Sequence, residues 1–253
     1  MEGRWIEVGD GVLARRHAEL DLTVGLVLGE ERALVVDTRG DARQGAEWAA
    51  VVRGVTALPL VVAITHAHFD HCFGTGAFLP CPVYALPACA AAVTATAQAQ
   101  RAEWAAHYRS EDDPDTADAL AATDPPPPDH VAPVTLDLGG RRADLLHLGR
   151  GHTDHDLVVH VDDVVFAGDL VEQGAPPSVG ADSVLSEWPD TLDELLAREP
   201  RVVVPGHGDP VDAAFVARQR DHLAELRGST RRGRQSERHS HPTRLGESAA
   251  RST

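Results

Sequence analysis

Between Thr65 and His71 the chain reads THAHFDH, which places His66, His68, Asp70 and His71 within six consecutive positions directly after the apolar run LPLVVAI. Side chains two apart in an extended segment leave the same face, so His66 and His68 can converge on one centre. A helix would turn them roughly 200° apart. Asp70 and His71 follow where the chain must turn, and they offer one carboxylate and one imidazole to a second centre. Imidazole with a little carboxylate is a donor set suited to zinc, with Zn–N near ~2.0–2.1 Å.

This cluster alone leaves the first centre one donor short and the second under-coordinated. Three downstream positions are candidates to complete them: His152 in GRGHTDHD, Asp169 in VVFAGDL and His207 in VVVPGHGD. In each, a glycine directly precedes the polar residue, and it lets the backbone approach closely. Four separate strand ends then point metal-binding groups at one cleft. Among 14 histidines any single one is more often core or surface, and His17, His107, His130, His147, His160 and His222 are read that way. His155, three residues after His152, either lines the cleft or, as preferred, supports it from behind or lies at the surface.

The elements that must position these groups follow from periodicity. RWIEVGDGVLARR reads as strand, and LTVGLVLGEERALVVDT as a hairpin turning at Gly29–Glu31. Residues 41–54 have helical spacing with Asp41 as N-cap, and Leu60–Ile64 reads as a buried strand. The Ala-rich stretch from Pro87 to Arg109 predicts a helix. Residues 110–130, acidic and closed by a four-proline run, are expected to be irregular, a surface linker or, less favoured, a lid. A second set of strands is expected at 134–138, 143–148, 157–161 and 164–167, then helix 189–198, strand 201–204 and helix 211–227. Two similar halves suggest two sheets packed face to face, helices outside. Residues 228–253, nearly devoid of large apolar side chains, are expected to be a disordered tail beyond a domain of residues 1–227.

Composition narrows the function. The 253 residues and 43% hydrophobic content suit one domain of moderate size. A net charge of −16 argues against a nucleic-acid partner, which would be bound by a basic surface. No membrane-spanning run is seen, and MEGRWIEVGDGV lacks the layout of a secretory signal, so the expected setting is cytoplasmic and the expected partner a small-molecule substrate. Cys72, Cys81 and Cys89 lack CxxC spacing and fit a reducing compartment; Cys72, although beside His71, is read as a small buried thiol.

The HxHxDH motif, the GHT histidine, the aspartate after a buried strand and the late GHG histidine occur in the order found in the metallo-β-lactamase superfamily, which the chain resembles over about Trp5–Leu226. The resemblance implies an αββα sandwich of two mixed sheets with helices on the outer faces. It implies that His66, His68 and His152 hold one metal, that Asp70, His71 and His207 hold a second, and that Asp169 bridges them. Two zinc ions are expected, with iron or manganese as alternatives. Two metals roughly 3.5–4 Å apart share a hydroxide that attacks a carbonyl or phosphoryl centre, and Asp70 is expected to orient it and take its proton. Asp169, where one subgroup of zinc β-lactamases carries cysteine, makes the site similar to glyoxalase II-type thioesterases, lactonases and general hydrolases. The chain has no Lys or Asn, so the residues that grip glutathione or a β-lactam carboxylate in relatives are missing. The expected substrate is therefore a small organic ester, thioester, lactone or amide, with Ser178, Asp182 and His155 as weak contact candidates. The alternative is a mononuclear iron oxidoreductase similar to the persulfide dioxygenases, which would use His66, His152 and Asp169. A non-catalytic metal-binding protein is a third and weaker reading.

Overall fold

The computed structural model describes residues 3–239. A first sheet of seven strands runs in chain order: β1 (Arg4–Gly9), β2 (Val12–Arg16), β3 (Thr23–Leu28), β4 (Ala33–Val36), β5 (Leu60–Ala63), β6 (Val83–Ala85) and β7 (His130–Val131). The first four pair antiparallel through short turns, and the last four pair in parallel. The change of direction falls where a helix first crosses over, because parallel neighbours need a long connection. That helix is α1 (Ala42–Val55), and the Asp41 side chain caps it by accepting from Gln44 N at 2.7 Å. The stretch expected as one strand from Arg4 to Arg16 is in fact the hairpin β1–β2.

α2 (Phe69–Cys72) is a single turn, and α3 (Pro87–Ser110) follows the sequence reading. Residues 110–130 differ from the expectation. They contain α4 (Pro114–Ala122), which buries Thr116, Ala117 and Leu120. Its start is an Asp–Pro pair, with the Asp113 side chain accepting from Thr116 N at 3.1 Å and Pro114 in the first turn. The four prolines after it had masked this signal. Thr123 Oγ1 then accepts from Ala42 N at 2.9 Å, fastening the segment to the start of α1.

The second sheet has the order β12-β11-β10-β9-β8, built from β8 (Val134–Asp137), β9 (Arg142–Leu146), β10 (Val158–Val161), β11 (Val164–Glu172) and β12 (Val202–His207). Its pairs are antiparallel except β11 with β12. α5 (Trp188–Leu196) and α6 (Ala213–His239) complete the described residues. Alternation sorts the sheet's two faces. Val159, Val161, Val164 and Phe166 share a core with the first sheet, while Val158, Val165, Ala167 and Val203 share a second core with Trp188, Leu192, Leu195, Val216 and Leu223 of the two helices. In the first sheet all four residues of β4 and of β5 are buried, as expected of strands covered on both faces. The layers are thus helix, sheet, sheet, helix, and Phe166 packs so closely over Gly25 that a Cβ there would strike its ring.

Two boundaries move. β11 continues to Glu172 instead of stopping at Ala167, so Asp169 lies within the strand, at a shift of register next to Gly168 (φ +52°). The last helix runs on to His239, past the expected end at Arg227, through residues 228–239 that include good helix formers (Arg, Gln, Glu) and no proline. Residues 240–253 of the expected disordered tail lie outside the described residues.

Candidate metal centre

All seven residues singled out above come together where the two sheets present neighbouring strand ends. β5 delivers Thr65–His68, α2 carries Asp70 and His71, β11 brings Asp169, and β12 ends on His207. His152 comes from the loop between β9 and β10. That loop winds around Asp156, which accepts from Thr153 N at 3.0 Å and Thr153 Oγ1 at 2.7 Å, so the GHTDHD sequence is folded by its own last residue.

The donors form two groups, each with ligand atoms within 4.8 Å of one another: His66, His68, His152 and Asp169, and then Asp70, His71 and His207. In the first, His68 Nδ1 lies 3.1 Å from His66 Nε2 and 3.0 Å from His152 Nε2. Asp169 Oδ2 is 3.4 Å from His152 Nε2 and 3.7 Å from His66 Nε2. In the second, His207 Nε2 lies 3.4 Å from His71 Nε2 and 3.4 Å from Asp70 Oδ2. Asp169 also reaches this group, with Oδ1 3.1 Å from His71 Nε2 and Oδ2 3.3 Å from His207 Nε2. A Cβ on Gly206 would collide with Asp169 Oδ1, so the shared carboxylate can sit here only beside a glycine.

The outward-facing ring nitrogens decide what the inner ones can be. His152 Nδ1 meets the Ser178 carbonyl at 3.2 Å and His207 Nδ1 the Leu20 carbonyl at 2.7 Å; both must donate. His71 Nδ1 donates to Asp37 Oδ2 at 2.8 Å and His68 Nε2 to Asp182 Oδ2 at 2.9 Å. Thr65 Oγ1 gives its proton to Asp37 Oδ2, so at 3.1 Å it accepts from His66 Nδ1. Every outer nitrogen holds a proton, and in the neutral imidazoles all five inner nitrogens are therefore bare lone pairs facing one another. Asp169 Oδ1 is buried with no hydrogen-bond partner among the described residues. Facing lone pairs and an orphaned carboxylate oxygen fit divalent cations, and outward hydrogen bonds to carboxylate and carbonyl are how metal-binding imidazoles are oriented.

The family model described as the metallo-beta-lactamase superfamily matches residues 19–207. The chain belongs to that superfamily. Among solved structures, a metallo-beta-lactamase from Pontibacter korlensis is similar with TM-score 0.68 at 20% identity, covering 88% of this chain and 99% of its own. The metallo-beta-lactamase FIM-1 from Pseudomonas aeruginosa in the mono-zinc form gives 0.69 at 18% identity, over 90% and 97%. One from Hirschia baltica gives 0.68 at 17%, over 88% and 98%. At these identities the structures establish the fold alone. No curated protein matches.

A superfamily fold with these clusters makes the chain a metal-dependent hydrolase, and its electrostatics suit a metal. Burial, with His71 and Asp169 acting on it in opposite directions, drives His66 well below the usual histidine range. Burial likewise takes His152 down to about 4 against the pull of Asp169. His207 is raised to about 9 and His71 well upward because Asp169 and Asp70 outweigh their burial. Asp169, despite burial, is held well below the carboxylate range by His207 and His71. Without a cation the second group thus stores protons that a cation must displace, so affinity falls as pH falls.

The three weak candidates are each engaged within the protein. Ser178 donates from N and Oγ to Glu172 at 2.7 and 2.9 Å. Asp182, at the rim, binds His68, which lowers its carboxyl to about 2. His155 accepts from Ala67 N at 3.3 Å and meets Asp154 Oδ1 at 2.6 Å. Asp37, Gln100 and Glu172 were not singled out from sequence. Asp37 carries the same signal as Asp169, an acid directly after an apolar strand; the other two carry none. Ser178 and Asp182 lie over the first group, the Ser178 carbonyl accepting from His152 Nδ1 and Asp182 Oδ2 from His68 Nε2. Cys72 and Cys89 are buried thiols. Among the described residues no helix is long and apolar enough to cross a membrane.

Proposed function

We propose that the protein is a binuclear zinc hydrolase acting on a small organic ester, thioester, lactone or amide. The observation that carries this reading is the set of five imidazoles, each turned by an outward hydrogen bond so that the nitrogen left unprotonated in the neutral ring faces one of two adjoining points. His66, His68 and His152 would hold one ion, Asp70, His71 and His207 the other, with Asp169 shared. When bound, such a pair would supply a hydroxide at neutral pH and would polarise the scissile oxygen. Asp70 Oδ2 lies 3.7 Å from His71 Nε2 and 3.4 Å from His207 Nε2, where it would orient the attacking water and receive its proton as the leaving group departs. The net charge of −16 supports a small organic substrate over nucleic acid. Three unpaired thiols support a reducing, cytoplasmic setting.

The test is elemental analysis of wild type and His207→Ala, purified without added metal and without an affinity tag, followed by a screen of esters, thioesters and lactones. The expected result is about two zinc per chain, falling towards one in the variant, with turnover in the screen. One iron per chain, unchanged in the variant, with O₂ consumption would overturn it in favour of an iron oxidoreductase using His66, His152 and Asp169.

A further inference from the structure

Ile64 N still donates to Tyr84 O at 2.9 Å, but beyond it the chain leaves the strand and its backbone hydrogen bonds pass largely to side chains. Thr65 N donates to Asp37 Oδ1 at 2.8 Å. Ala67 N donates to His155 Nε2 at 3.3 Å. Gln100, on α3, then spans His68: its Nε2 donates to Ala67 O at 2.9 Å and its Oε1 accepts from Phe69 N at 2.8 Å. One donor and one acceptor to the residues on either side is the pattern a parallel strand would supply, here reproduced by a single amide. Gln100 is itself fixed, donating to Thr96 Oγ1 one turn earlier at 2.8 Å. His155 Nδ1 is engaged by Asp154, which leaves Nε2 as the acceptor.

His68 has the greatest need of such support. It is the most exposed imidazole of its group, at 29%, against 1% for His66 and 4% for His152. It also faces the centre through Nδ1, the nitrogen nearer the backbone, so the position of that nitrogen follows the local peptide directly. His66 and His152 reach with the more distant Nε2.

We propose that Gln100 and His155 are positioning residues that clamp the peptide on either side of His68 and so aim its Nδ1 at the point shared with His66 and His152. This rests on the reading that these three imidazoles hold a cation, but it also has a consequence independent of any metal. In metal-free full-length protein, amide hydrogen exchange followed by NMR should show the Phe69 amide protected in wild type and in Gln100→Glu, which keeps the acceptor, and exchanging at least ~10-fold faster in Gln100→Ala. The Ala67 amide should lose protection in His155→Leu and regain it in His155→Gln. Val62, whose N–H donates to Pro82 O within the sheet, should stay protected throughout, which separates local release from unfolding. Competition for zinc with a chromophoric chelator should show Gln100→Ala weakened ~10–100-fold at one site and Gln100→Glu between the two. Unchanged Phe69 exchange and unchanged zinc affinity in Gln100→Ala would overturn the clamp. A wild type that shows the exchange pattern yet takes up no zinc would refute the metal-holding reading while supporting the clamp.

Discussion

Asp37 holds three hydrogen bonds at once: Oδ1 accepts from Thr65 N, and Oδ2 accepts from both Thr65 Oγ1 and His71 Nδ1, each at 2.8 Å. Asn at this position has one acceptor end and one donor end, and neither placement is neutral. With its NH₂ towards Thr65 N, two donors face each other and a buried backbone N–H is orphaned, at a cost of about 1–3 kcal/mol. With its NH₂ towards His71, the imidazole must carry its proton on Nε2 instead, aimed at the point shared with His207. The second placement can relax by a tautomer change, so Asp37→Asn should fold and place a proton where a cation's lone pair is needed. Loss of such an outward partner weakens metal binding about 10–100-fold, or roughly 1.4–2.8 kcal/mol. The assay is chelator competition for each of two zinc equivalents in wild type and Asp37→Asn, with thermal melting of the metal-free forms as the check on folding. One of the two equivalents, the one that His71 would help to hold, should bear the loss. If both affinities stay within threefold of wild type while the fold is intact, the tautomer argument is refuted.

Three further outcomes are expected. Gly206→Ala, whose new methyl would occupy the place of Asp169 Oδ1, should displace the shared carboxylate and lower zinc content per chain, read by elemental analysis, with little change in far-UV dichroism. Trp188→Ala should cost about 3–5 kcal/mol in a urea titration, because the ring is fully buried in the second core and its Nε1 donates to Leu170 O at 3.0 Å. His17 is lowered to about 3, by burial first and by Arg39 and Arg15 next. The unfolded chain takes up that proton near pH 6.5 and the folded chain does not until about 3, so this contribution to stability is lost progressively as pH falls through that window. Urea midpoints at pH 7 and pH 5 should therefore lie closer together in His17→Phe than in wild type.

Local spacing made the first cluster legible. In an extended segment the side-chain period is two, so His66 and His68 had to share a face and Asp70 with His71 had to fall beyond it, whatever the rest of the chain did. The glycine-then-donor pattern likewise marked His152, Asp169 and His207, because close backbone approach needs glycine wherever it occurs. Covered strands announced themselves as apolar runs, and α1 by its Asp41 cap. α4 was hidden because a four-proline run outweighed the Asp–Pro start before it, and Asp169 was placed beyond its strand because the register shift at Gly168 depends on how β11 meets β12.

The sequence by itself therefore determined which candidate metal donors the chain offers, since residue type and short-range spacing are properties of the chain. Only the tertiary structure decided which nitrogen faces inward in His68, His71, His152 and His207, whereas His66 is oriented by Thr65, its neighbour in the chain. The deciding partners, Asp37, Ser178, Leu20 and Asp182, lie 34, 26, 187 and 114 positions from the histidines they orient. The clamp of Gln100 on the peptide around His68, 31 residues away at Phe69, is of the same kind. No periodicity constrains hydrogen bonds at such separations; they exist because two sheets and a helix, each folded for its own apolar face, happen to bring those groups within reach.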